Sequence, residues 1–339
     1  LLPAIAFNTG GMVVDVAGNG IANAQVVIFN SEFTFNETTD TNGNYNINNI
    51  YEGNYEVIAG LWGYITTCDN EYIIPSTINT ITLEQGYYDD FTFDFGWTVS
   101  GGVTSASDGI WERGLPEGTN DQGVNYNPNG DVSGDCTDFA YVTGLLAGGQ
   151  IGDNDVDDFN TILTSPIFDL SANQIHYINY SSWFQNGFPW GGAPNDSLTI
   201  SISNGSTVSV LETITSNSPN LGQWNYNSLD ISQYIAPTTT MQLIIETADW
   251  DALGGHWVEA GFDQFSIFSI PLTWDCDGQG TCSDPGTGNG QYTTLSACQS
   301  NCIVVIYGCT DSTATNYDPT ATLDDGSCIV CNISNSATI

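Results

Sequence analysis

The stretch G-Y-Y-D-D-F-T-F-D-F-G-W-T-V-S-G, residues 86–101, closes one β-domain and opens the next; W-E-R-G-L-P-E-G-T follows it at residues 111–119. Phe91, Phe93 and Phe95 alternate with Thr92 and Asp94. That alternation predicts a strand with three aromatics on one face and polar side chains on the other. The stretch carries no catalytic group. On both sides of it the chain reads as short β segments separated by Gly, Asn, Pro and Ser clusters, with no long helical periodicity.

Composition narrows the setting. The 339 residues hold 39 acidic side chains against a single Lys or Arg, Arg113, for a formal charge of −38. Such a surface repels nucleic acid and anionic membranes and suits cations, calcium above all. Charged residues make up only 12 % of the chain, against about 25 % in ordinary globular domains. The remaining polar surface must therefore be Asn, Ser, Thr and Gly. With 9 Trp, 16 Tyr and 15 Phe, the chain is expected to bury real cores rather than form a disordered acidic tail. A lysine-free sequence has no lysine general base and no Schiff base. No run reaches the roughly 20 apolar residues of a membrane helix. Seven of nine cysteines follow residue 275, which points to disulfides and an extracellular, cell-surface location. The start at Leu1 without Met reads as a mature or trimmed product.

Residues 1–96 read as a small β-sandwich of Ig-like or prealbumin-like build. Met12–Val16 and Ala24–Ile28 alternate as strands about an Ala17–Gly20 turn, Asn42-Gly43 marks a tight turn, and Tyr51–Val57 leads into another strand. Three motifs stand in order: G-x-V-x-D-x-x-G-x-x-I-x-N-A-x-V from Gly11, T-D-x-N-G-x-Y from Thr39 and G-x-Y-x-V from Gly53. This order resembles the carboxypeptidase regulatory-like domain, which implies a spacing or stabilising module without an active site.

Residues 97–270 form the largest unit. Strands are expected at Ile162–Leu170, Ile175–Phe184, Leu198–Ser203, Met241–Thr247 and Phe262–Phe268, a spacing that suits a jelly-roll β-sandwich. The strings D-V-D-D, L-T-S-P-I-F-D-L, W-F-Q-N, N-D-S-L-T-I-S-I-S-N-G and V-E-A-G-F-D-Q-F follow one another. They resemble a MAM-like jelly roll of type IX-secreted bacterial surface proteins, some of which carry an upstream fungalysin-type metallopeptidase domain. Residues 271–305 and 306–339 read as small disulfide-rich modules. Cys276, Cys282, Cys298 and Cys302 fall in the first, and a unit this small needs crosslinks to hold it. The second, Y-G-C-T-D-S-T-A-T-N-Y-D-P-T-A-T-L-D-D-G-S-C, resembles a C-terminal module of the same secreted class, in which Cys309 and Cys328 are the natural pair. Spacing leaves Cys68, Cys136 and Cys331 unassigned.

Chemistry on the sequence is sparse. The two histidines, His176 and His256, are 80 positions apart and form no H-E-x-x-H, so a zinc peptidase is not encoded here. No G-x-S-x-G elbow seats a serine triad, and no catalytic residue is assigned; a carboxylate pair of the glycosidase type remains open because acids are so many. Calcium is the expected cofactor, with Asp153, Asp155, Asp157 and Asp158 crowding one loop and Glu259 and Asp263 flanking the last strand. The competing reading of these acids is a solvated loop. Arg113 is expected to pair structurally with a carboxylate, near Glu112 or at Asp263. Trp190, Trp250 and Trp257 stand in Gly-rich loops as glycan-contact candidates, the alternative being buried anchors. Asn36 and Asn195 head glycosylation sequons, and Ser197 and Ser312 follow Asp in a short O-glycosylation pattern.

Two functions compete on these grounds. One is a non-catalytic structural or adhesive surface protein that polymerises with itself into a fibre or coat, or holds cell-surface glycans. The other is an accessory substrate-binding or anchoring segment released from a larger secreted metallopeptidase.

Overall fold

The computed structural model describes residues 5–75, 78–102, 109–146, 151–157, 159–187, 193–250 and 255–330. The chain is nearly all β and divides into two compact units, Leu1–Ala172 with His176–Phe268 and Asn173–Ile175 with Ser269–Ile339.

The first unit holds two β-sandwiches. The first is built from β1 (Phe7–Asp15), β2 (Gln25–Phe29), β3 (Thr34–Thr38), β4 (Asn44–Ile50), β5 (Gly53–Gly60), β6 (Thr67–Ile73) and β7 (Ile78–Leu83). One sheet runs β4-β1-β7, with β1 and β7 parallel, and the other runs β3-β2-β5-β6. Alternation along these strands turns Val13, Val26, Ile28, Tyr45, Ile47, Tyr55 and Val57 into the space between the sheets. The Asn-Gly turn is held by Asp40, whose Oδ1 accepts the backbone N–H groups of Asn42 and Asn44 while Gly43 takes φ +83°.

The second sandwich contains β8 (Tyr87–Asp89), β9 (Thr98–Gly101), β10 (Trp111–Gly114), the hairpin β11 (Asn120–Asp121) and β12 (Val124–Asn125), β13 (Ala140–Thr143), β14 (Asn160–Thr164), β15 (Gln174–Gly187), β16 (Ser197–Ser203), β17 (Val208–Thr215), β18 (Asn225–Asp230), β19 (Gln242–Ala248) and β20 (Trp257–Pro271). Its sheets run β10-β13-β20-β15-β18, with β8 also on β20, and β17-β16-β19-β14-β9. Leu163, Ile178, Tyr180, Ile200, Leu243, Ile245 and Phe262 fill the core. The strand expected over Ile162–Leu170 ends at Thr164, because Pro166 cannot donate to a ladder.

Residues 91–95 are not the regular strand that their alternation suggests. Phe91 takes φ +59°, and the chain from Phe91 to Trp97 makes no ladder. The three rings do not share one face. Phe91 enters the core of the second sandwich against Trp97 and Tyr141, while Phe93 and Phe95 join Ile58, Cys68 and Cys136 in a separate cluster. Asp89 stabilises the bend, since its two oxygens accept the Phe91 N–H at 2.9 Å and the Trp97 indole N–H at 2.8 Å. Residues 87–97 thus bridge the two sandwiches, with Phe91 and Trp97 in the core of the second and Phe93 and Phe95 against Ile58 and Cys68 of the first. Further contacts join the two: Trp62 stacks on Phe265 at 5.8 Å and donates to the Ile167 carbonyl at 2.7 Å, and a disulfide links Cys68 to Cys136.

The second unit is held by crosslinks. Cys276–Cys302, Cys282–Cys298 and Cys309–Cys328 join short two-stranded ladders and a helix of about two turns, Leu295–Asn301, capped by Thr294. Cys331 lies outside the described residues.

The Cys68–Cys136 bridge closes a 68-residue span, a loop whose closure is worth about 4 kcal/mol in the chain-entropy account. The double change Cys68→Ala and Cys136→Ala should lower Tm by on the order of 10 °C in thermal unfolding and leave the disulfides of the second unit intact on peptide mapping.

Candidate metal centre

Acidic side chains converge where β20 changes partner. Its edge pairs with β13 through Gly261 and Phe262, then with β8 through Phe265, Ser266 and Ile267. Between the two ladders Gln264 adopts φ +53°. Asp263 lies on the face opposite the core residues Val258, Ala260 and Phe262 and is fully buried. Its oxygens accept the backbone N–H of Gln264 at 2.7 Å and of Val132 at 3.2 Å.

Val132 belongs to G-D-V-S-G-D-C-T-D, residues 130–138, the loop before β13. Gly130 and Gly134 take φ +108° and +107°, a region closed to most other residues. Their turns bring Asp131 and Asp135 against Asp263, so that one oxygen from each lies within 4.8 Å of the others. Asp131 Oδ2 is buried without a hydrogen-bond partner. Asp90 ties the loop to the preceding stretch by accepting the Cys136 N–H at 3.1 Å.

The electrostatics are those of a site short of positive charge. Burial, followed by the nearby charge of Asp135, pushes Asp263 up to about 9. Burial and neighbouring aspartates push Asp131 up to about 7 and Asp135 to about 6. An all-oxygen set of carboxylates with one orphaned oxygen fits a hard divalent cation such as calcium, which would take Asp131, Asp135 and Asp263 as ligands.

This is not the grouping read from the sequence. Asp263 does not join the loop acids. Asp155 is buried and accepts the Val258 N–H at 3.3 Å; burial, then Asp157 and Glu259, lift it to about 8. Glu259 is buried against the Asn127 amide, and burial raises it to about 7. Asp153 is exposed and Asp157 half-buried, while Asp158 lies outside the described residues. Asp131 and Asp135 were legible as an acidic run with two glycines. Their meeting with Asp263 was not, because 128 positions separate Asp135 from it.

Other expected site residues fall as follows. Arg113 makes no ion pair with a described carboxylate. Its guanidinium donates to the carbonyls of Phe91 at 2.7 Å and Thr92 at 3.3 Å and lies 5.2 Å from the Phe139 ring centre. The left-handed bend at Phe91 turns these two carbonyls toward it. Trp257 is buried, its ring packed against Gly187 and Tyr126, and so presents no face to a sugar. Trp250 is 63 % exposed, and Trp190 lies outside the described residues. Asn36, Asn195 and Ser312 are exposed, whereas Ser197 is half-buried between the buried Asp196 and Leu198.

Residues 9–93, the span of the first sandwich, match the family model of the carboxypeptidase regulatory-like domain. No curated protein matches the chain. Among solved structures, TmCBM61 in complex with β-1,4-galactotriose is similar at 11 % identity over 53 % of this chain and 90 % of that one, with a TM-score of 0.30. A cleaved adhesin domain of Lys-gingipain from Porphyromonas gingivalis is similar at 13 % identity over 54 % and 98 %, with a TM-score of 0.33. A structure of carbohydrate-binding modules from the β-sandwich superfamily is similar at 13 % identity over 78 % and 100 %, with a TM-score of 0.32. Likeness at this level says nothing of ligand or activity.

The raised carboxylates make stability depend on pH. In the ion-free fold they stay protonated above the pH near 4 at which the unfolded chain releases its protons. Their contribution is therefore fully present below about pH 4 and is lost as the pH climbs through 6 to 9. In chelator, Tm should fall by roughly 5 °C or more between pH 5 and pH 9. Excess calcium should flatten that fall by holding the ionised trio. Asp263→Asn should raise the ion-free Tm at pH 9 and abolish the calcium increment in the same scans.

Proposed function

We propose that this protein is a non-catalytic, extracellular adhesive protein of the cell surface that contacts glycans and is stabilised by calcium and disulfides. The observation that carries the reading is Trp250. It is the one exposed tryptophan among the described residues, at 63 %, and it directly follows the strand β19 of the second sandwich. An indole presented to solvent from the end of a disulfide-stabilised sandwich can stack on a sugar ring.

Other features support the same role. Four disulfides among the described residues suit an oxidising compartment. No described helix is long and apolar enough to cross a membrane. A −38 charge without lysine disfavours binding to polyanions. The acidic trio supplies the calcium ligands of the proposal, and the MAM-like resemblance of residues 97–270 agrees with an adhesive surface module. In its finer form the proposal includes self-assembly into a fibre or coat.

A panel of neutral and acidic glycans, probed with the full chain in calcium, tests the binding reading. Trp250→Ala should weaken the best interaction by about tenfold with an unchanged Tm. Equal binding by the variant, or no binding by the parent protein, would sink it. Electron microscopy of the native protein tests the fibre: filaments that fray on chelation are expected, and dispersed particles in both conditions would remove that part.

A further inference from the structure

A second polar cluster is buried in the same sandwich, and the glycan reading plays no part in it. Asp196 immediately precedes β16, Asp249 immediately follows β19, His256 immediately precedes β20, and Asn186 is the penultimate residue of β15. β16 and β19 are antiparallel neighbours in one sheet, with Leu198 opposite Thr247. β15 and β20 are neighbours in the other sheet. The topology therefore gathers the four residues at one end of the sandwich, between its two sheets.

The geometry is that of atoms facing a common point. His256 Nδ1 lies 2.8 Å from Asp196 Oδ2 and 3.9 Å from Asp249 Oδ1, and one ligand atom from each of the three residues falls within 4.8 Å of the others. Donor atoms each about 2.1 Å from one metal ion lie between roughly 3 and 4 Å apart. The side chains are 3 %, 1 % and 0 % exposed for His256, Asp196 and Asp249. Neither ring nitrogen of His256 makes a hydrogen bond, even though Nδ1 has a carboxylate oxygen at 2.8 Å. Asn186 donates to Asp196 Oδ2 at 3.1 Å, and its own Oδ1 is buried without a partner. Two independent polar groups, an imidazole and an amide oxygen, are thus buried in the cluster with lone pairs or protons unsatisfied, a costly arrangement in a protein interior.

Charge argues in the same direction. Two buried carboxylates need neutralising, and one imidazolium supplies a single positive charge. The chain has no lysine, and its one arginine is held by the Phe91 and Thr92 carbonyls. A divalent ion balances the pair. We infer that Asp196, Asp249 and His256, with Asn186, form a binding site for a first-row divalent transition ion, zinc or manganese, distinct from the all-oxygen trio at Asp263. The imidazole decides the class: nitrogen is a good ligand for these ions and a poor one for calcium. Bound there, the ion fastens the ends of four strands, two from each sheet.

The test uses the full, disulfide-intact chain, stripped with chelator and returned to excess calcium so that the oxygen site is filled. Calorimetric titration with zinc or manganese should show one equivalent bound. His256→Gln should weaken that binding at least roughly tenfold with unchanged far-UV circular dichroism, and Asp263→Asn should leave it intact. Pulsed electron paramagnetic resonance of the manganese-loaded native chain should show coupling to a single imidazole nitrogen, a readout independent of whether the variant folds. No uptake of either ion by the native chain overturns the inference in favour of a metal-free imidazolium–carboxylate triad. Unchanged binding by the folded His256→Gln variant, or a manganese spectrum without nitrogen coupling, overturns it equally.

Discussion

Seven carboxylates are buried among the described residues, Asp89, Asp90, Asp155, Asp196, Asp249, Glu259 and Asp263, in a chain whose only cationic side chain of fixed charge is Arg113. Desolvating a carboxylate is costly, and the usual remedy is a lysine or arginine partner. Here the remedies are different. Backbone N–H groups serve Asp89, Asp90, Asp155 and Asp263, and indole and amide N–H groups serve Asp89 and Glu259. Hydrogen bonds can hold a carboxylate in place, but they leave its charge uncancelled where several acids meet. Acids meet at Asp263 and at His256, and both places hold orphaned polar atoms.

The same economy explains where the arginine goes. The bend at Phe91 exposes two carbonyls to which no ladder N–H donates, and Arg113 satisfies both while its guanidinium lies over the Phe139 ring. Asp89 and Asp90 supply the complementary half by accepting the N–H groups of Phe91 and Thr92. Asp89 and Arg113 lie in sequence on either side of β9, and burial lifts Asp89 to about 7 although its hydrogen bonds and the charge of Arg113 draw it down. A bend that sends Phe91 into one core and Phe93 into another cluster is therefore fixed at both its donors and its acceptors. It also orders the two sandwiches, because β8 just before it completes the edge of β20.

Much of the fold was legible in the residues. Val13, Val26, Ile28 and Val57 alternate as strands do, and Asn42-Gly43 announces its turn, since these signals are local. The Phe91–Phe95 alternation misled because period two reports which way side chains point and not whether a ladder partner exists; a left-handed residue at Phe91 breaks the row. Trp257 misled because a Gly-rich loop suggests exposure, whereas Gly187 on the neighbouring strand makes room to bury the ring. The site was the least legible part. Asp131 and Asp135 lie in a visible acidic run, but the acids nearest β20 in type and number, Asp153 to Asp158, were equally visible. Only the partner change of β20 selects between them.

Strand order also accounts for the position of both clusters. β20 carries His256 just before its start and Asp263 near its middle, seven residues apart. A regular strand of that length puts such residues on opposite faces; the kink at Gln264 lies beyond both, so the difference in environment is set by what each face meets. Asp263 meets the loop before β13, rich in carboxylate oxygen, and His256 meets the ends of β16 and β19 across the core. One strand thus presents an oxygen-only site on one side and a mixed nitrogen–oxygen site on the other. In a chain that has almost dispensed with cationic side chains, the two proposed ions would neutralise the buried acid at separate points along the central strand, and the stability of the sandwich would then depend on the ions its surroundings supply.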